Sequence, residues 1–526
     1  MKDLLVVGRI HTLDPERPLA QAVLVRDGRI ACVGAEADCA ARARQGAERI
    51  PAGSAVPGLV DAHGHVQLLG RARREVSCAD APDEVACAAR AAERARTAPP
   101  GAWIRGRGWD QNRWPGARFP AEATLTAAVP DHPVVLARVD GHACWVNAAA
   151  LRAAGIGPTT PDPPGGRILR GPDGRPSGVL VDAAQDLVHA KLPPPSAAEI
   201  EQELLAGLRE VVALGLTEVH DAGVGPGVLD VYRRLAAEDR LPVRVYAMVD
   251  GEAAVPAMEA ELARWRGGAE LGRLTVRAVK LFADGALGSR GAALLEDYAD
   301  DPGNRGLLLT PADVLRAKVR AVVRAGMQPA VHAIGDRAVS DVLSAFEAAG
   351  DLRVLRPRIE HLQIVRSRDV PRLAAAGVVA SMQPVHATSD APWVAARLGA
   401  GTERTRGAYA WRTVLRAGVP LAFGSDFPVE DADPRAGLAA AEERVGRDGA
   451  PFTPEERISR LEALRAFTAG AALAAFAEGR RGAIREGLDA DLTVFADDVL
   501  ACSAERLRAS RVTHVVVGGR VEHRAP

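Results

Sequence analysis

Eight short apolar runs, most of them followed by a helical pattern, limit what this chain can fold into. They are residues 58–63, 216–223, 243–250, 276–285, 327–336, 357–363, 378–387 and 419–426. Segments such as EIEQELLAGLREVVALG and DVLRAKVRAVVRAG lie between them, with apolar residues at helical spacing. Strands that alternate with helices pair in parallel, because each crossover returns the chain to the same edge of the sheet. Eight such units predict a (β/α)8 barrel. The competing architecture is an open doubly wound sheet, but the glycine-rich dinucleotide loop of that fold is missing after the first run.

The two chain ends read differently. DLLVVGRIHTLD and AVLVRDGRIACVG near the start, with ADLTVFADD and VTHVVVGGRVEHR near the end, are short strands joined by turns. Asp27-Gly28 is a hairpin turn signal, and Gly518-Gly519 lies between two further strand-like runs. Neither end is long or apolar enough to hold a core alone. Residues 1–55 and 480–526 are therefore expected to build one composite β-sandwich domain, leaving 56–479 for the barrel. From about 75 to 195 the repeat is broken by turn clusters and by Trp103, Trp109 and Trp114. An inserted section after the first barrel strand, placed to roof the barrel mouth, is the expectation there.

Charge excludes some partners. Sixty-six Lys and Arg against 67 Asp and Glu provide no electrostatic reason to bind nucleic acid or an anionic membrane. No run is long enough to span a bilayer, and none has the start and cleavage site of a signal peptide. A soluble, cytoplasmic protein acting on a small molecule is expected, with a homodimer as the default assembly. The six cysteines form no CxxC pair and no disulfide-like spacing, so reduced thiols are expected.

The histidines carry the chemistry. His63 and His65 close the first run, and residues two apart on a strand share a face. His332 ends the fifth run, His361 the sixth and Asp426 the eighth. In a barrel these ends converge on one mouth, and imidazole with carboxylate is a donor set for a divalent metal. The alternative is a set of separate core histidines, each satisfied locally. Lys280 ends the fourth run, aimed at the same mouth. Desolvation and nearby positive charge favour its neutral amine. A neutral amine adds carbon dioxide to become a carbamate that bridges two metal ions; a lysine snorkelling from the strand end is the alternative. Asp61 either orients a ligand imidazole or lies deeper in the barrel.

The set GLVDAHGH, VKLFADG, VHAIGD, IEHLQ and GSDFPV closely resembles the metal-dependent amidohydrolase superfamily. GRGWD, DGHACWVNAAAL and GAIREGLDADLTVF extend the resemblance over essentially the whole chain, and the details look like the YtcJ-like branch, which includes N-substituted formamide deformylases. The resemblance implies that His63 and His65 bind the more buried metal, with Lys280 as the bridge. It implies that His332 and His361 hold a second metal, and that Asp426 is ligand and general base. Many members lack the strand-four lysine and use a single metal, so one or two ions, with Zn2+ as the expected element, both fit.

The expected reaction is hydrolysis of a C–N amide bond by metal-activated hydroxide, with Asp426 passing a proton to the leaving nitrogen. Candidate donors to the substrate carbonyl are His142, His220 and His386. His142 is preferred because DGHACWVN matches a branch motif. Trp109 reads either as an apolar pocket wall or as core of the inserted section, and Arg290 as a substrate contact. An N-substituted formamide with an apolar group is the expected substrate. The alternatives are a single-metal deaminase of a ring or amidine and a non-catalytic metal-binding protein retaining the fold. A complete ligand set with Asp426 argues against the last, since a scaffold needs no general base.

Overall fold

The computed structural model of the chain describes residues 2–525 apart from Asp140, His142, Pro164 and Gly165. They divide into two units, Met1–Val66 with Gly207–Pro526, and Gln67–Ala206. Among the described residues, the largest sheet of the first unit has nine strands, eight of them parallel neighbours in chain order. These eight are Leu59–Gly64, Leu216–Val224, Arg244–Asp250, Leu274–Phe282, Gln328–Ala333, Arg358–His361, Val379–Met382 and Leu421–Phe423, numbered here as barrel strands one to eight. The ninth, Ala269–Leu271, pairs antiparallel with strand four. The apolar runs thus form the (β/α)8 barrel in the expected order. Strand three shows why they read as continuous apolar stretches: in VYAMV every residue is buried, as in a parallel sheet covered on both faces. Outside it, helix Ala312–Arg324 buries Leu315, Val319 and Val322, one stripe at helical spacing.

The expected runs overshoot some strand ends. Strand seven stops at Met382, and a helix over Pro384–Leu398 begins within the run. Proline at the first helical turn loses no hydrogen bond that a helix needs there. His386, which falls within the seventh apolar run, therefore lies on the first turn of a helix, a correction to the strand expected over 378–387.

Closure of the barrel depends on a polar seam. Strands eight and one are joined by no ladder among the described residues. Instead Asp426 N donates to His63 O at 2.7 Å, and His65 N donates to Phe427 O at 2.9 Å. Asp61 accepts from His63 N, from Ser425 N and, at 2.6 Å, from Ser425 Oγ. A Cβ at position 424 would stand 2.5 Å from His63 N, so only glycine permits this approach. Asp61 thus meets backbone and a hydroxyl, and no imidazole.

Both chain ends contribute to one seven-stranded sheet, in which Leu492–Phe495 pairs with Glu48–Pro57. Alternation along Leu4–His11 divides its side chains between two cores. Leu4 and Val6 pack with Val494 and Val516, while Leu5 packs with Leu24 and Cys39. The Asp27-Gly28 turn has φ of 49° and 81°, the left-handed pair that a two-residue hairpin needs. Cys32 and Cys39 form a disulfide, a correction to the expectation of reduced thiols. Helix Glu36–Arg42 folds directly back onto strand Arg29–Gly34, which brings their Cα atoms to 5.5 Å.

The second unit carries its own six-stranded sheet and its own core. Trp109 and Trp145 are fully buried there and Trp114 nearly so. Trp109 Nε1 donates to Leu136 O at 2.7 Å. Of its two readings the core one holds, and the pocket wall is corrected: a side chain enclosed by its own unit has no face for a substrate. Among the described residues, no helix is long and apolar enough to cross a membrane. Trp109→Ala should destabilise the protein by about 3–5 kcal/mol, the usual cost of emptying an aromatic core position. Urea unfolding checks this, with metal content by elemental analysis expected to stay at the wild-type level.

Candidate metal centre

The carboxyl ends of the barrel strands bring His63, His65, Lys280, His332, His361 and Asp426 together. The ring of His361 is the hub, 4.7 Å from that of His63 and 4.6 Å from that of His332, centre to centre. Alternation along Arg358–His361 places Arg358 and Glu360 on one face and would turn His361 away from it. His361 instead adopts φ 72°, and Asp426 adopts φ 62°. These left-handed turns redirect both side chains at the end of the barrel, and non-glycine residues in that conformation cluster at functional sites.

Hydrogen bonds set which nitrogen each imidazole presents. His63 donates from Nδ1 to Glu360 Oε2 at 2.5 Å, His65 from Nδ1 to Ala222 O at 2.9 Å, and His361 from Nδ1 to Gln383 Oε1 at 2.9 Å. Each is left with Nε2 for the site. His63 Nε2 meets Lys280 Nζ at 3.1 Å, and His65 Nε2 lies 3.1 Å from Asp426 Oδ1. His332 is reversed: Nε2 faces Gly285 O at 3.5 Å, while Nδ1 is buried with no partner. An orphaned buried nitrogen beside three further imidazoles and a carboxylate fits a divalent cation. Among the described residues two triads are close enough to hold an ion, His63 with His65 and Asp426, and His361 with His386 and Asp426.

Charge follows burial. Burial, with the Lys280 charge adding to it, pushes the His63 imidazolium down to about 4. Burial likewise takes the Lys280 ammonium down to about 8, although Glu360 and Asp426 favour the charged form. Burial by itself would raise the Asp426 carboxyl, but His65, 3.1 Å away at Nε2, and the surrounding imidazoles outweigh it and hold it well below the usual range. The neutral amine that carbamate formation requires is therefore accessible at Lys280.

His386 joins the cluster from its helix, its ring 6.1 Å from that of His361. Gln363 Nε2 points at its Nδ1 from 3.5 Å, which leaves Nε2 as the donor nitrogen. That Nε2 is buried, has no hydrogen-bond partner and stands 3.8 Å from Asp426 Oδ2. His220 lies inside the barrel, accepting at Nδ1 from Arg358 Nη1 at 3.0 Å. Arg290 pairs with Asp300 at 2.9 Å on its own loop and is not brought into the cluster. His142 lies outside the described residues. Sequence reasoning missed Glu360, Gln383 and Gln363, whose partners are His63 and His361 on other strands and His386 on a helix. The one available signal was Arg358 and Glu360, two charges on the inward face of a strand.

A closed parallel barrel with this rim defines the class of metal-dependent hydrolases. The amidohydrolase family model matches residues 53–523, and the chain belongs to that family, in its YtcJ-like branch. It is 34% identical to YtcJ of Bacillus subtilis (strain 168) over 540 residues, covering 99% of each chain. It is 30% identical to the N-substituted formamide deformylase of Arthrobacter pascens, covering 99% of this chain and 98% of that one. An uncharacterized metal-dependent hydrolase from Pyrococcus furiosus has the same fold, with a TM-score of 0.78, 28% identity, and coverage of 94% and 99%.

Purified protein should contain a divalent transition metal, and a chelator should remove it together with the activity. His63→Ala and His65→Ala should each weaken metal binding by more than about 100-fold, since losing a ligand costs more than losing a ligand's support. Elemental analysis after gel filtration reads both outcomes.

Proposed function

We propose that the protein hydrolyses the C–N bond of a small, uncharged N-substituted amide, with N-alkyl or N-aryl formamides as the favoured class. The observation that carries this reading is the rim of His63, His65, His332, His361 and Asp426 around the buried amine of Lys280. In this reading residues 56–479 are the hydrolase barrel, with an insertion at about 75–195, and residues 1–55 with 480–526 are the accessory β-domain. His63 and His65 would hold one ion, His332 and His361 would hold a second, and Asp426 would be a ligand. Zn2+ suits imidazole and carboxylate donors. When bound, the metal supplies a Lewis acid that polarises a carbonyl and makes water acidic enough to attack at neutral pH.

The remaining steps belong to the chain's own groups. Lys280, as a neutral amine, would attack carbon dioxide; an N–C bond forms as one C–O π bond opens, the ammonium proton passes to water, and the carbamate would add two anionic oxygen donors to the site. Asp426 takes a proton from the attacking water and returns it to the leaving nitrogen as the C–N bond breaks. For a formamide the products are formate and an amine. His386 donates from its unpartnered Nε2 to the carbonyl oxygen as that oxygen gains charge.

The choice of formamides is supported by the Arthrobacter pascens relative, which is named for that chemistry. Trp109, Trp114 and Trp145 of the inserted section lend it no support, because they are core.

Substrate preference tests the reading. The kcat/KM for an N-benzyl formamide should exceed that for an N-acyl amino acid and for a cyclic ureide by at least about tenfold, the scale that one well-matched pocket contact provides. The reverse order overturns the formamide assignment. Lys280→Ala should lose metal and at least about 100-fold in kcat. Metal reconstitution of the wild type under carbon dioxide depletion should be slowed, and full activity with Lys280 unmodified in native mass spectra of the folded protein at neutral pH overturns the carbamate.

A further inference from the structure

The four imidazoles of the rim are not supported alike. His65 and His361 lean on neutral oxygens, those of Ala222 and Gln383, and His332 Nε2 stands 3.5 Å from both Gly285 O and Asp284 Oδ1, beyond a close hydrogen bond to either. His63 leans on a carboxylate, Glu360, at 2.5 Å. That carboxylate is itself gripped by Arg358, whose Nε donates to Oε1 at 2.7 Å and whose Nη2 donates to Oε2 at 3.1 Å. Arg358 also donates to Ala62 O on strand one at 2.7 Å, to Ser381 Oγ on strand seven at 3.0 Å, and to His220 Nδ1 on strand two. Arg358 and Glu360 are both fully buried.

A buried ion pair of this kind is poor evidence for stability, since apolar residues of the same volume often do as well. Its effect must be sought in what it touches. Every group around the Glu360 carboxylate is a donor: Arg358 Nε, Arg358 Nη2 and His63 Nδ1. Only an ionised carboxylate, an acceptor at both oxygens, satisfies all three. We propose that Glu360 is a positioning residue for the metal centre: anchored across the barrel by Arg358, it locks His63 as the Nδ1–H tautomer and aims Nε2 at the ion beside Lys280. This rests on the reading of His63 as a metal ligand. Glu360 touches neither substrate nor the reacting atoms, and acts through His63 alone.

Glu360→Gln makes the test sharp, because the amide keeps the volume but cannot accept at both ends. If its oxygen faces Arg358, its NH2 group donates to His63 Nδ1 and forces the proton to Nε2, the nitrogen needed for the metal. The full-length variant should bind Zn2+ in chelator competition about 10- to 100-fold more weakly than wild type, the usual cost of losing a ligand's hydrogen-bond partner. Histidine-ring 15N correlation spectra of the metal-free protein should show the His63 resonances, identified by their absence in His63→Ala, changing from the Nδ1–H to the Nε2–H pattern. A merely structural role would leave that tautomer unchanged. Should Glu360→Gln fold poorly, the double variant Arg358→Met with Glu360→Leu removes both charges together, and it too should bind Zn2+ at least tenfold more weakly. Wild-type Zn2+ affinity with an unchanged tautomer in Glu360→Gln, or wild-type affinity in the folded double variant, overturns the positioning role while His63→Ala still loses the metal. If His63→Ala also keeps the metal, the ligand reading fails and this proposal with it.

Discussion

Closing a parallel sheet on itself is the constraint from which the rest of this structure follows. Once strands one and eight meet, the carboxyl ends of all eight strands share a single rim, and side chains hundreds of residues apart become neighbours. The seam itself is polar. Asp61 gathers three donors from strand one and the strand-eight loop, and Asp426 N reaches His63 O. The contact that shuts the barrel therefore also sets two of the candidate ligands side by side. Gly424 is part of the same economy, since any Cβ there would hold the two chain segments apart.

The interior of the barrel is correspondingly unusual. Arg358, Glu360, His220 and Lys280 are all enclosed where an ordinary barrel would be filled with branched apolar side chains. Charges in such a place are tolerated only when their hydrogen bonds are complete. Arg358 meets that condition by bonding to strands one, two, six and seven at once. Left-handed backbone at His361 and Asp426 adds about 1–2 kcal/mol of strain each. Both costs fall at the rim or directly beneath it, which is where a rigid donor arrangement has chemical use.

A neutral imidazole whose Nδ1–H is taken up by an acceptor presents a lone pair at Nε2, and one whose Nδ1 accepts from an amide N–H presents Nε2–H. Hydrogen bonding at the second ring atom thus decides what the same residue type can offer. His361 and His386 show the contrast. Gln383 accepts from one and Gln363 points an amide N–H at the other.

Much of this could be read along the chain. Period-two and period-3.6 patterns are local, so the eight strands, their order and the hairpin at Asp27-Gly28 follow from neighbouring residues. The donors at strand ends were legible for the same reason, because a parallel barrel gathers those ends wherever its helices lie. Partnerships were not legible. Glu360 meets His63 across 297 positions of sequence, and nothing near either residue specifies the other. Whether Trp109 lined a pocket or filled a core, whether Cys39 reached Cys32, and whether His386 sat on a strand or a helix depended on packing. Backbone preference is carried by each residue and its neighbours, whereas a hydrogen bond between distant side chains exists only after the sheet has closed around both.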